Sequence, residues 1–523
     1  MARSRNAFAQ ISSSSSSSSS SPAELTIVQA LQKKLEETEQ RLQYAELRVQ
    51  LLEEKLRQKR IEKYGPHSEK LSTLQLELME EEPGVSEEEV KAESQRERVR
   101  VPRMRRPHPG RQTLPENLRR VEKVIACTPE QCVCAECGGE TAVIGYEESE
   151  QLEVEPAKYF VWKIKREKRA CKKCEERGVL AAPLPPRIIE KGLVSDGVVV
   201  ATVVSKYADH CPLYRQSAIL TRDVGLEISR ATMDGWVMRV GELLTPMVAA
   251  MRRELIGDGY IQADETPVGV QMHDRRGKNH QAYLWQYGSP GRGVVFDFRM
   301  SRGREGPREF LKHFKGILQT DGYAAYQGLG GSDVVHAACW SHARRKLVES
   351  VRLNPKDEAA VRLLTLVNEL FEIDAKARQE NADLAARHVL RQEHAKPLLE
   401  QIKAQLVDGK SKALPKSCFG KACRYTLELW DKLMRFLEYP ELELSNNLAE
   451  NSMRGVVLGR KNWIHLGDQQ AGPKIAAILS VIESCRRLKI PAREYLAAVL
   501  PGLADVSIQR LPELTPAAWA RRS

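Results

Sequence analysis

The sequence has no long hydrophobic run. Its longest apolar stretch, from Gly197 to Val204, has only eight residues, whereas a membrane-spanning helix needs about 20. The first residues include arginines but lack the apolar core of a secretory signal. We therefore expect a cytoplasmic protein without a membrane partner.

Cysteine is too sparse for a disulfide scaffold, with 11 in 523 residues. Four of the cysteines form two C-x-x-C pairs: Cys134, Cys137, Cys171 and Cys174. Four thiolates complete a tetrahedral, structural Zn²⁺ site. Cys127 and Cys132 leave another ligand set open. Apolar residues between the pairs, including Tyr159, Val161 and Ile164, favour strands, so residues 121–180 are predicted to form a zinc-ribbon-like DNA-binding module.

Acidic residues are outnumbered by basic ones, 70 to 81, which gives a net charge of +11. This balance indicates a polyanionic partner, most simply nucleic acid, although a merely basic soluble protein remains an alternative. Residues 81–120 are predicted to be a linker with a basic arm that prolines keep from being helical. Arg103, Arg105 and Arg106 of this arm are candidate DNA contacts. A solvated linker is an equally good interpretation.

The N-terminal part combines a low-complexity tail with a heptad pattern. Residues 1–22 contain ten consecutive serines and are predicted to be disordered. Residues 23–80 are predicted to form a coiled coil, because apolar residues recur every seven positions at Val28, Leu35, Leu42, Val49 and Leu56. The pattern predicts a homo-oligomer, and a helix folded back on its own chain is the alternative.

The remaining chain indicates a multidomain α/β protein. Residues 187–256 have helical periodicity and 468–523 contain further helices. Between them, residues 257–467 show three strands, a helix at about Gly306 to Lys315, a strand from Ile317 to Tyr323, another strand and a helix. This is the order of a ribonuclease-H-like catalytic domain with a mixed five-stranded sheet. A charged helical insertion is predicted at about 352–440.

Two aspartates mark the ends of strands in this predicted sheet. Asp264 lies on the first strand and Asp321 ends the fourth, so their carboxylates are expected to face one point. Two-metal phosphoryl transfer needs divalent ions about 3.5–4 Å apart, held by oxygen ligands. Two aspartates seldom suffice for this, and Glu450 on a later helix is the candidate third acid. The three together predict a site for Mg²⁺ or Mn²⁺.

The stretch around Glu450 has two ordinary interpretations as well. Asn447 and Glu450 have the spacing of a helix capping box, and Glu450 and Arg454 that of a surface ion pair. Gly459 is expected to end the helix. Four residues of the stretch are candidate DNA contacts beside the third acid: Asn447, Arg454, Arg460 and Lys461.

These motifs in combination resemble the insertion sequence 66 family of bacterial transposases, of the DDE type. The matching pieces are Ala263 to Thr266, Thr320 to Tyr326, Cys339 to Arg345, Asn446 to Glu450 and Leu458 to Trp463. The resemblance implies that Asp264, Asp321 and Glu450 are the metal-binding triad. It also implies a Cys-x-x-His signature at Cys339 and His342, for which we expect a packing role.

The resemblance implies a DNA transposase that cuts element ends and joins the 3′-hydroxyl to target DNA, acting at the nucleoid with possible helper proteins of the same element. The family usually has Asp before the paired asparagines and Arg directly after the Glu, whereas this chain has Ser445 and Asn451. A catalytically impaired or domesticated DNA-binding relative is therefore the alternative. A ribonuclease-H-like nuclease of another kind would need no coiled coil.

Overall fold

The computed structural model describes residues 22–64, 159–170, 179–190, 192–272 and 278–522. The chain divides into two compact units, Met1–Leu76 with Pro185–Ser523, and Glu77–Leu184. Several predictions lie outside the described residues: the serine tail, the linker, the arm arginines Arg103, Arg105 and Arg106, and the four paired cysteines Cys134, Cys137, Cys171 and Cys174.

The unit Glu77–Leu184 contains one described hairpin, in which strand β1 (Lys168–Ala170) pairs antiparallel with β2 (Val179–Ala181). The prediction of strands at Tyr159, Val161 and Ile164 is wrong, because no regular structure is present from 159 to 167. These side chains are exposed, and within the described residues no neighbouring strand completes a ladder with them. Alternation without a buried face does not specify a strand.

The other unit begins with helix α1 (Pro22–Tyr64). Four of the heptad side chains are each more than half exposed: Leu35, Leu42, Val49 and Leu56. The end of α1 contacts the rest of the unit: Glu54 is buried and accepts a hydrogen bond from the Cys418 amide (3.1 Å), and Arg57 donates to the Leu353 carbonyl (3.1 Å). The helix thus exists over the heptads, and its pairing with a second copy stays a prediction.

Three helices precede the sheet: α2 (Asp196–Tyr207), α3 (Leu213–Val224) and α4 (Arg230–Ile256). Ser229 caps α4 by accepting a hydrogen bond from the Thr232 amide (3.1 Å). The apolar residues of α4 recur at helical spacing and are buried, among them Met233, Val237 and Leu244. This stripe forms much of the core against one face of the sheet.

The sheet contains β3 (Tyr260–Val270), β4 (His280–Gly288), β5 (Val294–Arg299), β6 (Gly316–Thr320) and β7 (Val334–Ala338). Their order is β5-β4-β3-β6-β7, with β4 antiparallel to its neighbours and β6 parallel to β3 and β7. The predicted mixed sheet is therefore confirmed. Helix α5 (Glu305–Phe310) is shorter than predicted, because the chain turns at Leu311 so that Phe310, Leu311 and Phe314 all reach the core.

Helices fill the chain between β7 and the stretch around Glu450. They are α6 (Trp340–Leu353), α7 (Glu358–Gln379), α8 (Leu384–Leu390), α9 (Lys396–Lys412), α10 (Cys418–Glu428) and α11 (Trp430–Met434). A single π-helical turn, Arg391–Ala395, joins α8 to α9. These helices enclose a second core, in which Leu347, Leu363, Val367 and Leu399 are completely buried.

The chain then returns to the sheet through α12 (Asn447–Trp463) and the two-residue strand β8 (His465–Leu466), which pairs with the end of β3 and makes the sheet six-stranded. Helices α13 (Ala471–Arg487), α14 (Ala492–Val499) and α15 (Pro516–Ala520) follow. Helix α13 is buried along much of its length against α4 and β5. Among the described helices, none is both long and apolar enough to cross a membrane.

Candidate active site

The two predicted aspartates lie at the same end of neighbouring parallel strands. Gln262 of β3 pairs with Gln319 of β6, and Asp264 and Asp321 each follow two residues later in the same direction. The Asp264 Oδ1 atom accepts a hydrogen bond from the Glu265 amide (2.9 Å). Parallel pairing therefore brings the two side chains together, as the strand pattern predicted.

A sharp turn holds Asp321 just beyond the end of β6. Its Oδ1 atom accepts from the Tyr323 amide (2.8 Å), and its carbonyl accepts from the Tyr425 hydroxyl (2.6 Å). Gly322 between them has a φ of 94°. A Cβ at this position would lie 2.7 Å from a methyl carbon of Leu429. Only glycine fits such a turn without strain, so the Asp-Gly pair is a structural requirement here.

The third predicted acid, Glu450, lies in the first turn of α12. This helix continues to Trp463, so the expectation that Gly459 ends it is wrong. Gly459 instead lets Trp463 pack closely, since a Cβ there would lie 2.7 Å from the indole nitrogen. The helix begins after Asn446, and among the described residues no side chain caps it, which removes the capping-box alternative.

The carboxylate of Glu450 faces α6, so the alternative of an ion pair with Arg454 is also wrong. Its Oε2 atom lies 2.8 Å from Nη2 of Arg345, and its Oε1 atom lies 3.7 Å from Nε2 of His342. His342 and Arg345 are three positions apart, which places both on one face of α6. Sequence reasoning missed Arg345 as a partner of Glu450, because the spacing within the Ser341-to-Arg345 motif indicates a shared helix face but not what that face contacts.

The electrostatics of Asp264 show that the three acids share one region. Burial raises the pKa of Asp264 to about 7, and the negative charges of Glu265, Asp321 and Glu450 add to that effect. Like charges disfavour ionisation only when they are near one another. Asp321 and Glu450 therefore lie near enough to Asp264 for their charges to act on it.

The donor chemistry at this point fits Mg²⁺ or Mn²⁺, which prefer carboxylate oxygens. The Oε1 atom of Glu450 is buried and, among the described residues, no hydrogen-bond donor reaches it. The acids are nevertheless too far apart to enclose an ion in this arrangement, because within the described chain no three His, Cys, Asp or Glu side chains are close enough to do so. Glu450 is bound by Arg345 in this arrangement.

Cys339 directly precedes α6 and His342 lies in its first turn, where they face the start of α12. Cys339 is buried, and its Sγ atom accepts a hydrogen bond from the Asn446 amide (3.4 Å). Burial raises the pKa of this thiol to about 11, so it stays neutral. Burial also lowers the pKa of His342. The contacts of Cys339 agree with the packing role that we expected.

Glu265, which follows Asp264 directly, is a further acid at the site and was not assigned a role from the sequence. Its side chain is only 3% exposed and accepts two hydrogen bonds from Arg302, at 2.6 and 3.1 Å. The guanidinium of Arg302 also lies 4.0 Å from the centre of the Tyr323 ring. Arg302 thus offsets one negative charge at the edge of the site, where it is half-exposed.

The candidate DNA contacts on α12 separate into two groups. Asn447, Arg454 and Lys461 are exposed and recur at helical spacing, so they lie on one outward face. Arg460 faces the sheet instead, where it donates to the Thr266 hydroxyl (3.2 Å) and to the Pro267 carbonyl. Arg460 therefore attaches α12 to β3 just beyond Asp264.

The sequence that forms this site matches a known protein family. The model described as "Transposase IS66 family" matches residues 191–474, more than half of the chain. The chain belongs to the IS66 family of transposases. All three acids and the α12 candidates lie within the matched region. The predicted family membership is thus confirmed.

Two further family models match the part of this IS66 member that precedes the sheet. The zinc-finger binding domain of transposase IS66 matches residues 131–175, which include Cys134, Cys137, Cys171 and Cys174. This match supports a structural zinc. A model described as "Transposase C of IS166 homeodomain" matches residues 51–122.

Curated relatives include three uncharacterized proteins of Sinorhizobium fredii (strain NBRC 101917 / NGR234). The protein y4jD is 33% identical over 423 residues, covering 78% of this chain and 81% of that protein. The protein y4hP is 29% identical over 504 residues, covering 91% and 89% respectively. The protein y4qI is 32% identical over 419 residues, covering 77% and 75%.

Proposed function

We propose that this protein is a DNA transposase that cuts the ends of a bacterial insertion sequence and joins the freed 3′-hydroxyl to target DNA. What supports the proposal is the placement of Asp264 and Asp321 at the same end of neighbouring parallel strands, with Glu450 near enough for its charge to act on Asp264. Family membership supports DNA as the partner.

We propose further that residues 257–467 are a ribonuclease-H-like domain with a helical insertion at about 352–440. The strand order is β5-β4-β3-β6-β7, and of these five strands β4 alone runs in the opposite direction, which supports this assignment. The insertion separates the third acid from the other two along the chain, and the return through α12 to β8 brings it back.

Asp264, Asp321 and Glu450 would hold two divalent ions. When bound, such ions activate the attacking oxygen and offset charge on the phosphate and leaving group. Residues of the chain would bind and position the DNA. Glu450 would serve as a metal ligand instead of pairing with Arg345, and Arg345, which is 60% exposed, would then be free to contact a DNA phosphate.

DNA is proposed to lie along the outward face of α12, on Asn447, Arg454 and Lys461. The zinc-binding module and the arm arginines Arg103, Arg105 and Arg106 would add contacts that do not depend on sequence. A second copy of the chain is proposed to pair with the exposed heptad face of α1. Two copies would let one assembly hold both ends of an element.

The test is cleavage of element-end DNA with Mg²⁺ by Asp264→Asn and Glu450→Gln. Both variants should lose cleavage while DNA binding persists, because the substitutions remove ligand charge without adding bulk. Asp408→Asn, in an exposed pair with Lys412 on α9, is the matched control and should cleave normally. Full activity of either site variant would remove the assignment. Binding without cleavage by the unaltered protein would favour the DNA-binding alternative.

A further inference from the structure

The segment that leads into α12 has no regular structure beyond a short turn at its start. Residues 436–446, which we call the strap, connect α11 to α12 and are partly buried. The Asn446 carbonyl accepts a hydrogen bond from the Glu450 amide (3.2 Å). The position of Glu450 therefore depends directly on where the strap lies.

The first half of the strap is held by the helical insertion. Arg391, the first residue of the π-helical turn, donates to the carbonyls of Phe436 (3.0 Å) and Leu442 (2.9 Å). Gln392 donates to the Leu437 carbonyl (2.8 Å). Irregular buried backbone needs such partners, and here the insertion's side chains provide them.

Buried charge fixes Arg391 in place. Its guanidinium is 1% exposed and lies 2.7 Å from Oδ1 of Asp374 on α7. Arg387 of α8 bridges Asp374 (2.9 Å) and the carboxylate of Glu443 on the strap (3.0 Å). Three arginines of the insertion thus hold the strap: Arg391 binds backbone carbonyls, and Arg387 and Arg378 (3.1 Å) bind the Glu443 carboxylate.

The second half of the strap is held by the sheet. Gln319 donates to the Glu443 carbonyl (2.7 Å), and Gln262 donates to the Ser445 carbonyl (3.0 Å). Gln262 and Gln319 are paired residues of β3 and β6, and Asp264 and Asp321 follow them by two residues. The strap therefore connects the insertion to the same strands that carry the two aspartates.

We propose that Arg391, held by Asp374, is a positioning residue that sets the distance between Glu450 and the two aspartates. The insertion then acts as a clamp on the third acid rather than as an independent appendage. This inference depends on the proposed function only where cleavage is measured, because the clamp itself can be tested without DNA.

Hydrogen–deuterium exchange of the full chain tests the clamp directly. Arg391→Lys keeps the charge facing Asp374 but loses the fork that reaches two carbonyls. We expect exchange in the strap and the first turn of α12 to rise about tenfold, while β4 and α13 are unchanged. Arg362→Lys, on the exposed side of α7, is the matched control and should change nothing. Unchanged exchange in the strap would overturn the inference.

Metal dependence distinguishes positioning from a purely structural role. In cleavage assays, Arg391→Lys should raise the half-saturating Mg²⁺ concentration about tenfold and leave most of the rate at saturation. If activity falls only in proportion to the folded fraction, with unchanged Mg²⁺ dependence, the inference is wrong. Should Arg391→Lys fail to fold, Gln392→Ala removes one carbonyl contact and should raise strap exchange about threefold. If the unaltered protein does not cleave, the proposed function fails and exchange still decides the clamp.

Discussion

Removing the charge of Asp374 should strongly destabilise the helical insertion. The Asp374 carboxylate is 2% exposed and lies within 3 Å of both Arg387 and Arg391, which are themselves buried. Asp374→Asn leaves Arg391 in the core without its countercharge, and Arg387 then keeps only Glu443 as a partner of opposite charge (3.0 Å). Breaking a buried pair in this way typically costs about 3–5 kcal/mol, since a buried charge is left uncompensated.

The matched control is Asp408→Asn, which breaks an exposed ion pair with Lys412 on α9. Pairs of this kind contribute about 0.3–0.5 kcal/mol. Hydrogen exchange of α7 to α9 in the full chain gives the free energy of local opening for both variants. A change below about 1 kcal/mol for Asp374→Asn would refute the reasoning, because the cost of an unpaired buried charge would then be absent.

The effect of Asp374→Asn on the free energy of local opening should depend on pH. Burial alone would raise the pKa of Asp374, but the charges and hydrogen bonds of Arg391 and Arg387 outweigh it and lower the pKa below its ordinary 3.8. A lowered pKa in the folded state stabilises the fold above the ordinary value and ceases to do so as pH falls through the lowered one. The difference in opening free energy between the unaltered protein and Asp374→Asn should therefore shrink below about pH 4.

Three further predictions concern other parts of the chain. Gly322→Ala should lower the midpoint of thermal unfolding and slow cleavage, since the strained φ and the contact with a neighbouring leucine cost about 2 kcal/mol or more; unchanged values in both assays would contradict this. Leu42→Asp should convert oligomers to monomers in sedimentation velocity, whereas Gln40→Asp, off the heptad face, should not; equal behaviour of the two would exclude α1 as the interface. Cys171→Ser should lose the bound zinc measured by elemental analysis, whereas Cys127→Ser should retain it, and the reverse result would reassign the ligands.

Much of the sheet could be predicted from the sequence because its signals are local. Alternating apolar residues and turn residues marked β3 to β7, and the Asp-Gly pair marked the end of β6. The helix of α1 followed from its heptads. Predictions failed where a distant contact decides the outcome: Gly459 does not end α12, because Trp463 packs over it, and residues 159–167 are not strands, because alternation alone provides no partner.

The candidate site shows the same division. Each acid could be chosen from its place at a strand end or on a helix, but the partner of Glu450 could not. Arg345 reaches Glu450 only because α6 begins directly after β7, beside the β6 edge that carries Asp321. The role of the insertion was equally hidden, since Arg391 and Asp374 appear in the sequence as ordinary charges of two amphipathic helices.

The charges around the site suggest why Arg345 occupies its position. Asp264, Asp321, Glu265 and Glu450 place four carboxylates in a partly buried region, and two arginines face them, Arg302 and Arg345. Arg302 is tied to Glu265 and stacks on an aromatic ring, whereas Arg345 is mostly exposed and holds one atom of Glu450. Of the two cations, Arg345 is thus the one that would leave at small cost if a divalent ion replaced its charge, as we propose. We propose that the strap and Arg345 both act on Glu450: the strap fixes its backbone, and Arg345 holds its side chain until divalent ions and DNA compete for the two partners.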